Sequence, residues 1–427
     1  MTVPRSRAMA AGLAFVVALP LAACSFGDSG GAASGDDTIR LQVSGEPEET
    51  AVYDALAAAF MEQHPGSTIE VVKVAEKPGH LARLSTSFAA GNPPDVFLVN
   101  FREFSVYAAR SALEPVGPLL EDQGLDFDDY YTPPLDAFDF DGALQCMPQN
   151  ISSLVVYYNR ELLKRFGVDE PPDQWSWEEF RSTAIAMTQG DVDGVGIEPS
   201  VIRLAPFVWS NGGEVVDDTE TPTRFTLDEP AAREAVEFVV GLVRDDQVAP
   251  TEEEVAAQDL ETRFETGKLA MLLSSRVDTP RFREVSGLAW DVAPLPQADQ
   301  PVNILHSDAY CLSRPSQDKQ LATEFIEFAV GQAGQTLTAL GGRTVPSLKS
   351  VARSAAFLDP TQEPRRAEVW LDAVPYLRRT PVWPTWTEIE DLSEELLTRA
   401  YYDDVSLDEI LTQLDERSQP LFERGGG

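Results

Sequence analysis

The residue types best equipped for chemistry are few and scattered along this chain. Its three histidines, His64, His80 and His306, stand at no metal-ligand spacing from one another or from a cysteine, so no zinc site is expected. The stretch GDVDGVGIE at 190–198 has the opening acids of a calcium loop, but its glycine follows the second Asp directly and the later acidic ligands are missing. It reads as a turn before a strand, and no metal is expected. There is no Gly-x-Ser-x-Gly elbow, no phosphate loop and no dinucleotide fingerprint, so no cofactor is expected and the chain is not read as an enzyme. Seventy acidic residues would place some carboxylate pair in any fold, so pairs alone argue neither for nor against glycoside hydrolysis.

What stands out instead is a set of aromatics and amides in loops. WSNGGEVVDD at 209–218 puts Trp209 beside Ser210 and Asn211 at a Gly-Gly turn, and TPVWPTWTE at 380–388 puts Trp383 and Trp386 around Pro384. An indole on a Pro-restricted loop can offer its flat face to the C–H patches of a sugar, and it can equally plug a core. Trp175 and Trp177, at a helix start, read as packing, and Trp290 and Trp370 read as core.

These loops need a scaffold. With 427 residues, 43% of them hydrophobic, the chain can bury a large core in two domain-sized units. Alternation from Ile39 to Val43 predicts a strand, and Val52, Leu56 and Phe60 follow at helical spacing. TIEVVKV at 68–74 predicts a second strand, HLARLSTSFAAG a helix, and DVFLV, which has no alternation, a strand buried on both faces. Strands alternating with helices imply a parallel sheet. SWEE at 176–179 and SLDE at 406–409 have the form of helix-starting boxes. The apolar run LQCMPQNISSLVVYYNREL at 144–162 is broken by Pro148, Gln149 and Asn150, which places two amides between what read as two buried strands.

The formal charge is −37 and no Lys/Arg block could follow a phosphate backbone, so no nucleic-acid partner is expected. The N-terminus carries Arg5 and Arg7 ahead of a short apolar stretch that ends in LAAC, and SFGDSGGAASGDD follows. That pattern predicts an export signal over 1–23 and a flexible tether over 24–37. The LAAC sequence resembles a lipobox, which implies acylation of Cys24 and a lipid anchor on the extracellular face of the cell membrane.

Several segments, in order, resemble the extracellular solute-binding proteins of bacterial ABC importers, specifically the sugar-binding family 1 type. They are GNPPDVFLVN, DGALQCMPQNISSLVVYYNRELLKRFGV with WSWEEF, WSNGGEVVDD, RFETGKLAMLLSS, DVAPLP, SDAYCLSRPSQDKQLATEFIEF and GGRTVPS. The resemblance implies an α/β, periplasmic-binding-protein-like fold of two lobes, each a mixed sheet flanked by helices, with hinge strands between them and ligand in the cleft. On this chain the lobes would take 38–148 with 302–345, and 149–301 with 346–424. The implied partners are a carbohydrate and an ABC permease with its ATPase, and a monomer is expected. The residues carried over are Glu46, Asn100, Phe101, Gln149, Asn150, Trp209, Asp308, Arg343, Trp383 and Trp386. Arg276 is included although many members have a Trp or a small polar residue there. The lobe model makes Cys146 and Cys311 neighbours, either bonded or as two buried thiols. A surface-anchored glycan hydrolase and a binder of a non-sugar solute remain the alternatives.

Overall fold

The computed structural model describes residues 37–45 and 47–426. The export signal, most of the tether, Cys24 and Glu46 lie outside the described residues. Among the described residues, no helix is long and apolar enough to cross a membrane.

The first lobe begins as its pattern requires: β1 (Thr38–Ser44), α1 (Pro47–Gln63), β2 (Thr68–Val74), α2 (Lys77–Ala89), β3 (Val96–Asn100) and α3 (Phe101–Ala109). The strands β1, β2 and β3 are parallel neighbours in the order β2-β1-β3. All five residues of β3 are buried, which is why its sequence has no polar alternation. The short strands β4 (Leu113–Glu114) and β5 (Cys146–Pro148) complete this stretch of the chain.

The second lobe follows with β6 (Val155–Asn159), β7 (Asp193–Gly196), α4 (Val201–Ser210), β8 (Leu269–Ser274), α5 (Thr279–Glu284) and β9 (Trp290–Ala293), in the sheet order β9-β6-β8-β7. The turn reading of 190–198 agrees with β7. Among the described residues no cluster of three His, Cys, Asp or Glu could hold a metal. Every residue of β6 is buried, because Val155 and Tyr157 pack toward one core cluster while Val156 and Tyr158 pack toward the other. Each such apolar side chain is worth roughly 1.5–3 kcal/mol.

The chain then returns. β10 (Asp308–Ser313) joins the first sheet antiparallel to β3, β4 and β5, so that sheet is mixed. The helix α6 (Gln332–Leu340) packs on α1, and α7 (Trp386–Tyr402) carries the second core with Trp386, Ile389 and Leu396. Between them Val351, Phe357 and Trp370 pack in the first cluster. Ser176 caps its helix in a full box with Glu179, whereas Ser406 caps the last helix through the Glu409 N–H alone.

Three crossing segments run side by side between the lobes. Ile151 N donates to Val345 O at 2.8 Å, and Ser152 and His306 exchange two backbone hydrogen bonds of 2.8 Å. Asn303–Ile304 pairs with Leu377–Arg378. Cys146 and Cys311 are register partners on β5 and β10, and their sulfurs are bonded.

Candidate functional site

The cleft lies where β1 and β3 end and β10 begins, against the second lobe. Two adjoining cavities of about 290 and 360 Å³ share Lys77, Asn100, Val277, Asp308 and Arg343. The first also takes the end of β1, Tyr53, His80 and Glu103; the second takes Arg102, Asn150, Ser152, Glu198, Arg203, His306 and Glu394. This is the position an open α/β sheet reserves for ligands, beyond the C-terminal ends of its strands.

Local chemistry positions the wall. Asn100 ends β3 and caps α3, its Oδ1 accepting from the Arg102 backbone N–H at 3.3 Å and from Arg102 Nε at 3.0 Å. Its Nδ2 donates to Asp308 Oδ1 at 3.1 Å. Asn150 Oδ1 accepts the Asp308 backbone N–H at 2.7 Å, tying the outgoing crossing to the returning one. Arg343 lies 3.6 Å from Asp308 Oδ2. Arg102 Nη1 reaches Glu390 Oε2 on α7 at 2.7 Å, so one ion pair spans the two lobes.

Other wall groups have hydrogen-bonding capacity that the protein does not use. Ser152 Oγ, His306 Nε2 and Arg203 Nε are buried and find no hydrogen-bond partner among the described residues. Unpaired polar groups at such a depth are costly, and they gain partners only where the wall parts enough for water or a ligand to reach them. Burial, and then the charges of Arg102, Arg203 and Lys77, hold the His306 imidazole well below its usual titration range. His80 is lowered as well, first by burial, while the Leu98 carbonyl 2.8 Å from its Nε2 acts in the opposite direction.

Of the residues singled out from sequence, Asn100, Asn150, Asp308 and Arg343 meet at these cavities. The remaining described ones do not. Phe101 is buried in the first core. Gln149 is fully buried, and its amide Nε2 lies 3.1 Å from the hydroxyl of Tyr53, which does line the cleft. Trp209 lies in the second core with the Arg378 guanidinium over its face at 4.7 Å. Trp383 donates from Nε1 to Phe422 O at 3.2 Å, and the fully buried Trp386 donates to Glu390 Oε1 at 2.6 Å. Each of the two late-loop indoles has an internal acceptor for its N–H, and all three pack against the second core, the packing arrangement open to any buried Trp. Trp175, Trp290 and Trp370 are buried as well, as expected. The backbone of Arg276 adjoins the cleft through Ser275 and Val277, but its side chain turns into the core, where Nε donates to Gly342 O at 2.8 Å.

Sequence reasoning missed Lys77, Arg203, Ser152 and His306. The last two flank the crossing the sequence did mark: Ser152 stands two residues past Asn150, and His306 two before Asp308.

The sequence model described as bacterial extracellular solute-binding protein matches residues 55–364. The sn-glycerol-3-phosphate-binding periplasmic protein of Salmonella typhimurium is 24% identical, over 91% of this chain and 83% of its own length. The galactooligosaccharide-binding protein of Bacillus subtilis is 22% identical, over 84% of this chain and 89% of its own. Among solved structures, an ABC substrate-binding protein of Listeria monocytogenes in complex with cycloalternan superposes with a TM-score of 0.83 at 23% identity, covering 91% of this chain and 99% of that one.

Proposed function

The chain belongs to the bacterial extracellular solute-binding proteins, and on that premise we propose that it is the substrate-binding component of an ABC importer. It captures an uncharged mono- or oligosaccharide between its lobes and delivers it to the permease without chemistry on it. The observation that carries this reading is the polar wall shared by the two adjoining cavities, where Lys77, Asn100, Asp308 and Arg343 together offer donors and acceptors to a polyhydroxylated ligand. Lobe closure around the ligand would couple occupancy to transport. The galactooligosaccharide and cycloalternan ligands in the names of similar proteins point the same way.

Export over residues 1–23, acylation of Cys24, a tether over 24–37, display as a monomer on the outer face of the membrane, and lobes of 38–148 with 302–345 and of 149–301 with 346–424 belong to the same proposal.

A phosphorylated polyol is the second reading, favoured by the four cations of the cleft and by the glycerol-phosphate relative. A thermal-shift screen with neutral oligosaccharides beside sn-glycerol 3-phosphate separates the two. A ligand at a hundredfold its Kd stabilises by about 2.7 kcal/mol, which is easily seen as a rise in Tm. A shift with the neutral panel alone supports the sugar reading. A shift with the phosphate ester alone replaces it, and turnover of any glycan would move the protein to the hydrolases.

A further inference from the structure

Each cation that lines the cleft already has a carboxylate partner. Lys77 pairs with Glu103, Arg203 with Glu198 at 2.7 Å, Arg343 with Asp308 at 3.6 Å, and Arg102 with Glu390 at 2.7 Å. The cavity wall also holds Glu394, which has no ion-pair partner among the described residues. Among the described residues the site therefore has five carboxylates to four cations, and a phosphate entering it would meet a small surplus of negative charge. It would also compete with a carboxylate for each guanidinium, and parting Arg102 from Glu390 or Arg343 from Asp308 would leave a largely buried carboxylate without that partner. A neutral polyol meets no such penalty, because it can share the remaining lone pairs and N–H groups of the intact pairs.

We propose that Glu198 and Glu390 are specificity-determining residues: by holding Arg203 and Arg102, they reserve the cleft for uncharged ligands and exclude phosphorylated ones. The two act from different places. Glu198 precedes α4 and lines the cavity, whereas Glu390 stands behind it on α7 and grips Arg102 from the opposite lobe. This inference rests on the carbohydrate reading but asks a separate question, since it concerns what the pairs refuse.

The test is calorimetric titration of the purified protein with sn-glycerol 3-phosphate and with inorganic phosphate, in phosphate-free buffer at low salt. Wild type is expected to give no saturable heat up to about 1 mM, where a Kd corresponds to only about 4 kcal/mol of binding. Glu198→Gln and Glu390→Gln are each expected to bind at least one of these anions tenfold or more tightly than wild type, and the gain should fade as salt screens the freed guanidinium. Circular dichroism and Tm establish that the variants are folded, and two variants on different elements guard against one failing to fold. Anion binding by wild type overturns the proposal, as does a folded pair of variants with no gain. Failure of the carbohydrate reading itself would show elsewhere, as silence of wild type toward the neutral panel.

Discussion

Two arginines cross between the lobes, and they are held in opposite ways. Arg102 leaves the first lobe for a carboxylate, Glu390, at the wall of a solvent-filled cavity. Arg276 leaves the second lobe for a neutral carbonyl, that of Gly342, and its guanidinium lies between Phe357 and Trp370 with ring centroids 4.6 and 4.8 Å away. Only 1% of Arg276 is exposed, and its two terminal nitrogens have no hydrogen-bond partner among the described residues. Burial, and next the charge of Arg283, bring its pKa down to about 9, so it is still charged at neutral pH. Gly342 suits this contact because its φ of +83° is a conformation that L side chains rarely adopt. The Arg102–Glu390 pair, though only 8% and 15% exposed, joins two separate lobes and can part when they separate and solvent enters, whereas a guanidinium packed between two aromatic rings cannot leave without opening the core. The Arg102 side is thus built to open and the Arg276 side to stay closed, which fits a cleft that hinges about its crossing segments.

The strongest way to break this comparison is to shorten Arg276. Arg276→Ala is expected to lose about 2–4 kcal/mol, because it leaves a cavity between two aromatic rings, whereas Arg276→Met keeps the packing, sheds a buried charge and should stay within about 1 kcal/mol of wild type. Denaturant melts of the two variants check this, and an equal loss in both would mean that the charge, not the packing, holds that side. Gln149→Ala comes next. Its amide is spent on Tyr53, so the expected loss is about 1–3 kcal/mol of stability, with affinity affected only through the Tyr53 wall of the cleft. Comparable melts with altered ligand affinity would show instead that the amide faces ligand.

The smallest expected effect is on the opening side and depends on pH. His306 is held neutral by burial beside Arg102, Arg203 and Lys77, with Glu198, Glu394 and Asp308 in the same cavity. Its folded pKa lies below its unfolded value near 6.5, so its contribution is complete above about pH 6.5 and is lost as the pH falls toward the lowered value. Folding stability should therefore decline on acidification below about pH 6.5, read as Tm against pH, and His306→Gln should flatten that part of the profile. A profile unchanged by the substitution would remove His306 from the account.

Much of the architecture was legible because it depends on local pattern. The unbroken apolar run of β3 announced a central strand, and the Pro148-Gln149-Asn150 interruption marked the place where the chain leaves one sheet for the other. The site was less legible because its members meet only in space. Lys77 and Arg203 are ordinary helix-start cations until Glu103 and Glu198 are seen beside them. The reverse holds for the indoles. Nothing local to Trp209 or Trp383 reveals that Arg378 or the Phe422 carbonyl waits far along the chain to occupy them. At Arg276 the pattern located the backbone at the cleft edge but could not say which way a long side chain would turn.

The most direct measurement is amide hydrogen exchange with and without the neutral oligosaccharide that gives the largest thermal shift. The account predicts new protection at Asn100–Arg102, at Asn150–Ser152, at His306–Asp308 and around Glu390, with little change at Trp209 or Gly342. Protection centred on the Trp209 and Trp383 loops, with the crossing segments unchanged, would contradict it.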